Sequence, residues 1–317
     1  MDVLRDFRQL PIGLSREFSP ELALLIRQVQ MHQEWVRNYL EDEEADKLGF
    51  VGSVLANASP VNIANDIRLR LGVSPGDQIG CGDIRAALNL WVNGAEDRGV
   101  FVCRQGKIEM DEARGFALCD PFAPFIWINS SDALAGQLFT LIHEMAHLWI
   151  NKSGVSNIYG LETASRDPNM KIEALCNKVA AEVLLERSAF NEIWQATERA
   201  AELQDRIQTT ARRLNVSEES VARRLLDTGT ISSETYSRLR QEYAERWNEY
   251  KRQRGGADGG PSYYLMKAIN NGRLFSRTVV SAYLNGRLSG CQASHLLGAK
   301  IGHFGKIASC AGLPLAV

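Results

Sequence analysis

Hydrophobic positions divide the chain into helical and extended stretches. From Gln137 to Ile150 apolar side chains cover most of one predicted helix. Leu138, Ile142, Met145 and Trp149 repeat at about the helical period, and Phe139, Leu141, Ala146 and Leu148 fill much of the rest. A helix apolar nearly all round is a buried one. Asn129-Ser130-Ser131-Asp132, just ahead, supplies N-cap residues. A second helix is predicted over 170–185. Ile172, Cys176, Val179 and Val183 form one row on it, and Glu173, Asn177, Ala180 and Leu184 another. Ala180 and Ala181 permit close approach to a neighbouring helix.

Upstream, Ser19-Pro20-Glu21 opens a helix that runs to about Ala45, with a solvated acidic end at Glu41-Asp42-Glu43-Glu44. Ser59-Pro60 opens another through Ile63, Ile67 and Leu71, and Asp83-Ile84-Arg85 a third that ends near Trp91. Three short apolar runs bounded by Gly, Pro and Asp predict strands at 100–103, 115–119 and 125–128. Downstream, 191–253 is charge-rich and helical, and 211–225 has the pattern of helix, turn, helix. Gly255-Gly256-Ala257-Asp258-Gly259-Gly260-Pro261 has the composition of a flexible linker. This pattern divides the chain into three parts: N-terminal helices with the short strands and the two apolar helices over 1–190, a helical, helix-turn-helix-like region over 191–254, and the linker with a basic helical region over 255–317.

Composition adds bounds. A chain of 317 residues is long enough for two domains and a full core. The net charge of −2 gives no whole-chain argument for a polyanion partner. After Asp258, however, there is no Asp or Glu, while Lys267, Arg273, Arg277, Arg287, Lys300 and Lys306 remain. That basic region, with Tyr263, Tyr264, Phe275, Tyr283 and Phe304, suits contact with nucleic acid, with an acidic protein surface, or plain helical packing. The six Cys show no paired spacing, so we expect reduced thiols and a cytoplasmic protein. The first residues lack a signal-peptide core, and no stretch suits a membrane span.

The chemistry lies in the buried helix. His143 and His147 are four residues apart and share a face; Glu144 lies beside the first. Burying two imidazoles and a carboxylate is costly unless something pairs with them, and a metal ion does. This His-Glu-x-x-His spacing is that of a zinc site with a built-in general base. A catalytic zinc takes three protein ligands and keeps one position for water. The longer motif, whose third ligand is a further His shortly after the helix, needs Gly and His where this chain has Ile150 and Ser153, so that class is excluded. The candidates are therefore carboxylates of the second helix. Glu173 has Asn177 one turn on, which can accept the free N–H of a ligating imidazole. Its rival Glu182, nine residues away, points to the opposite side and is expected to be a solvated carboxylate. Tyr159, with Asn157 nearby, is the candidate donor to an oxyanion.

Together, Pro124-Phe125-Ile126-Trp127-Ile128-Asn129, Phe139-Thr140-Leu141-Ile142-His143-Glu144-Met145-Ala146-His147 and the run from Glu173 to Leu185 resemble the ImmA/IrrE-type zinc metallopeptidases. Val179 stands where that family often has Phe, and Glu186 near where it often has Pro. The resemblance is specific over 98–187 and looser elsewhere. It implies an α+β, zincin-like (thermolysin-like) fold and an intracellular endopeptidase whose substrate is a helix-turn-helix transcriptional repressor, in a stress-response or toxin–antitoxin setting. On this expectation His143, His147 and Glu173 hold one Zn²⁺ (or Mn²⁺), and Glu144 is the catalytic base. The alternative is a DNA-associated regulator or toxin–antitoxin component whose metal site is structural or sensory.

Overall fold

A computed structural model describes residues 18–55, 57–156, 168–197, 202–253 and 262–313. The order begins with helices α1 (Pro20–Asp42), α2 (Pro60–Leu71), α3 (Pro75–Ile79) and α4 (Ile84–Glu96). Strands β1 (Phe101–Gln105), β2 (Gly115–Leu118) and β3 (Phe125–Asn129) follow, then helix α5 (Leu134–Ile150) and strand β4 (Gly154–Ser156). Helices α6 (Pro168–Leu184), α7 (Arg187–Ala196), α8 (Leu203–Leu214), α9 (Glu218–Asp227) and α10 (Ser233–Gln253) come next. The chain closes with α11 (Tyr263–Asn271), α12 (Arg273–Leu284), α13 (Gly290–Leu297), a 3₁₀ turn (Ile301–His303) and α14 (Phe304–Cys310). This is a helix-rich α+β arrangement, and no helix among the described residues is long and apolar enough to cross a membrane.

The sheet runs β1-β3-β2-β4. β1 pairs parallel with β3; β2 runs antiparallel to β3 and to β4. All five residues of β3 are buried, as in a strand covered on both faces. Alternation assigns the faces. Val102, Ala117, Ile126 and Ile128 look toward α2, α4, α5 and α6 and share a core with Trp91, Leu138, Met145 and Val179. Phe101, Phe116, Phe125 and Trp127 look the other way, into a second core built from α1, α12, α13 and α14. The C-terminal helices thus cover the face of the sheet opposite α5 and α6. Gly272 marks the approach: at φ +88°, a Cβ there would lie 2.7 Å from the Val102 carbonyl oxygen.

Several local expectations shift. α1 ends at Asp42 rather than near Ala45, and Glu44 has φ +54°. α4 runs past Trp91 to Glu96. The N-cap of α5 is Ala133, with no side-chain cap. Asp132 instead accepts from the Arg114 guanidinium through Oδ2 and from the Ala133 N–H through Oδ1, both at 2.8 Å. α3 and β4 carried too few periodic positions to be foreseen. The helix–turn–helix expected over 211–225 is present as α8 and α9, joined at Asn215 with φ +54° and capped by Ser217. The Gly-rich stretch of 255–261 lies outside the described residues.

Candidate metal centre

α5 is buried along its whole length from Thr140 onward, with His143 and Glu144 fully enclosed and His147 nearly so. The two imidazoles point to one place, as residues one turn apart must. Their Nε2 atoms lie 3.2 Å apart. α6 packs against α5, with Cys176, Val179 and Ala180 buried at the contact. This packing brings in Glu173, whose Oε2 is 3.2 Å from His143 Nε2 and whose Oε1 is 3.2 Å from His147 Nε2.

The outer nitrogens settle the protonation. His143 Nδ1 lies 2.9 Å from Asn177 Oδ1, and His147 Nδ1 lies 3.1 Å from the Lys152 carbonyl oxygen. Both partners are acceptors, so both Nδ1 atoms carry the hydrogen and donate it. In the neutral rings each Nε2 then offers a lone pair. With both rings neutral, two lone pairs and a carboxylate converge, an arrangement that a positive charge, whether a proton or a metal ion, relieves. A tetrahedral ion with bonds of about 2.0–2.1 Å spaces its ligand atoms about 3.3 Å apart, close to the separations here. The donor set His143, His147 and Glu173 therefore fits a zinc-like ion, and among the described residues it is the one such cluster.

The field agrees. Burial opposes a charge on His147, yet Cys176, Glu173 and Glu144 together hold its pKa well above the ordinary imidazole value. Burial likewise opposes ionisation of Glu173, but the bonds from His143 and His147 outweigh it and keep the carboxyl far below its usual range. The pocket favours positive charge.

Glu144 turns from α5 toward β2. A Cβ built on Gly115 would stand 3.1 Å from Glu144 Oε1 and 2.5 Å from Thr140 Cγ2. Only a residue without a side chain lets the strand lie so close to that carboxylate.

Glu182 departs from the solvated carboxylate expected of it. It faces away from the cluster, but its side chain is 11 % exposed and pairs with Arg224 at 2.8 Å and Arg187 at 3.0 Å. These bonds outweigh burial and hold its carboxyl below the usual range. Arg224 also donates to the carbonyls of Ala181 at 3.1 Å and Leu185 at 2.8 Å. Arg68 donates to Val183 O, and Gln78 Nε2 to Leu184 O at 3.0 Å. Three side chains from outside α6 thus satisfy the carbonyls that its C-terminal end leaves open.

Tyr159 and Asn157 lie outside the described residues. Two contributors escaped sequence reasoning. The Lys152 carbonyl is main chain and carries no side-chain signal; the αL turn at Asn151, φ +58°, aims it. Cys119, whose Sγ lies 3.6 Å from the His147 carbonyl oxygen, had no spacing to mark it.

Residues 95–226 match the family described as the IrrE N-terminal-like domain, a peptidase family. The match encloses the three strands β1–β3, both imidazoles, Glu144, Glu173 and the α8–α9 corner. No curated protein matches the chain.

Proposed function

We propose that this chain, which carries a metallopeptidase domain of the ImmA/IrrE type at residues 95–226, is a zinc-dependent endopeptidase. Its substrate would be a specific cytoplasmic protein, a helix-turn-helix repressor whose cleavage releases its genes. The observation that carries the peptidase reading is the convergence of His143, His147 and Glu173 on one point of a buried helix that also holds Glu144.

Bound zinc supplies a Lewis acid that polarises the scissile carbonyl and makes water a nucleophile near neutral pH. Glu144 takes the proton of the attacking water and delivers it to the leaving amine. Asn177 and the Lys152 carbonyl hold the two imidazoles in the tautomer that points Nε2 inward. β4 stands at the end of the sheet order, and an extended substrate segment could add beside it through backbone hydrogen bonds. The zincin-like assignment rests on the His-Glu-x-x-His helix lying against a small sheet, with a carboxylate from the next helix. The competing regulator with a structural zinc wants four protein donors, and the cluster among the described residues has three.

The test is Glu144→Gln in the full chain, incubated with a co-encoded helix-turn-helix protein. Zinc content should stay at one per chain while cleavage falls about 10²–10⁴-fold. Cleavage at the wild-type rate would remove Glu144 from the mechanism; a zinc-loaded wild-type chain that cuts no such protein would remove the repressor as substrate.

A further inference from the structure

Helices α11, α13 and α14 present a surface that peptide hydrolysis does not use. We propose that this surface binds single-stranded nucleic acid, its lysines holding phosphates and its aromatic cluster stacking bases. Tyr263 and Tyr264 open α11, and His303 ends the 3₁₀ turn. The three rings form one edge-on cluster, with centroids 5.5 Å apart for Tyr263–Tyr264, 5.9 Å for Tyr263–His303 and 5.3 Å for Tyr264–His303. Tyr263 is 52 % exposed, so part of its surface is open to a stacking partner.

Three lysines lie on or beside the elements that carry the cluster, one of them against a ring. Lys306 of α14 holds its ammonium 5.0 Å from the Tyr264 centroid. Lys300, exposed, stands immediately before the 3₁₀ turn. Lys267 of α11 reaches Gly298 at the end of α13, where a Cβ would lie 3.0 Å from its Nζ. Among the described residues none of these lysines takes part in an ion pair, whereas Arg287 is paired with Glu43. The chain supplies no acid of its own from residue 259 to its end.

Cations without ion-pair partners are what phosphate contacts require. An exposed ring among them, Tyr263, is what an unstacked base requires, and a duplex keeps its base faces covered. An acidic protein would engage the lysines but has no need of the rings. The exposed residues of α9, the second helix of the α8–α9 corner, are by contrast few, since Arg224 is turned inward onto α6.

The proposal stands apart from the peptidase reading, and its test reads binding alone. Fluorescence anisotropy of a labelled oligothymidylate is followed with the full zinc-loaded chain across a salt series. Expected is a slope of log affinity against log salt of about −2, the value for three phosphate contacts on a single strand. Lys300→Glu with Lys306→Glu should weaken binding at least about tenfold and flatten the slope by about 1.4. Tyr263→Ala should weaken it about tenfold with the slope unchanged. Glu144→Gln and Arg212→Glu, on the exposed face of α8, should bind as wild type. Both lysines are exposed, so an unchanged thermal melt certifies the fold of the double variant. The proposal is overturned by an absence of binding at low salt, by full affinity in the double variant, or by preference for the duplex. Displacement by polyglutamate at equal charge, with Tyr263→Ala silent, also overturns it and points to an acidic protein instead.

Discussion

His143 and His147 are useful to a cation only because their outer nitrogens are committed elsewhere. Asn177 Oδ1 and the Lys152 carbonyl each take an Nδ1 hydrogen, and that turns both Nε2 atoms inward toward Glu173. Asn177→Ala should therefore lower zinc affinity about 10–100-fold with the fold intact, measured by competition with a chromophoric chelator. Unchanged affinity would mean that packing alone orients His143. The pairing of His143, Glu144 and His147 was legible in the sequence because a one-turn spacing is a local property of a helix. Glu173 was legible too, through Asn177 one turn on. The Lys152 carbonyl was not, because main-chain acceptors look alike in every sequence.

At the scale of elements, the site depends on how α6 is held against α5. Arg224 reaches from α9 to Glu182 and to two carbonyls at the end of α6, where Arg68 and Gln78 take two more. Removing Arg224 leaves a mostly buried carboxylate and open carbonyls behind. Arg224→Ala should cost about 2–4 kcal/mol, read from chemical denaturation, and should weaken zinc binding as α6 loosens. Because the Glu182 carboxyl is held below its ordinary 4.5, this clamp is present above that pH and lost as the pH falls below it. A variant as stable as wild type would show that α9 merely rests on α6. The expectation of a solvated Glu182 failed because helical spacing says which way a side chain points, and a partner forty-two residues on decides what it meets.

In the whole molecule, one sheet joins two cores, and the C-terminal helices close the second. Deleting 262–317 would uncover Phe101, Phe125 and Trp127 although every residue of the metal cluster remains. The truncated chain should be insoluble or partly unfolded by circular dichroism; a folded, zinc-binding product would show that the first core suffices. The junction should also respond to pH. Burial raises the Glu96 carboxyl to about 7, against the Leu274 N–H at 2.9 Å and the nearby Arg277 and Arg273, which pull it down. Its folded pKa exceeds the ordinary 4.5, so its contribution is full below that pH and lost as the pH rises through about 7. Over that window wild type should lose up to about 3 kcal/mol relative to Glu96→Gln in urea titrations, and parallel curves would exclude the effect. The sequence by itself determined the buried helix, its two imidazoles and the carboxylate beside them, the row of α6 that carries Glu173 and the three strands, because each follows from spacing within one element. Tertiary structure alone decided how Glu173 meets the imidazoles, which arginine steadies α6 and that α12–α14 return to cover the sheet. A hydrophobic pattern marks the face that must be covered, and only long-range packing selects what covers it.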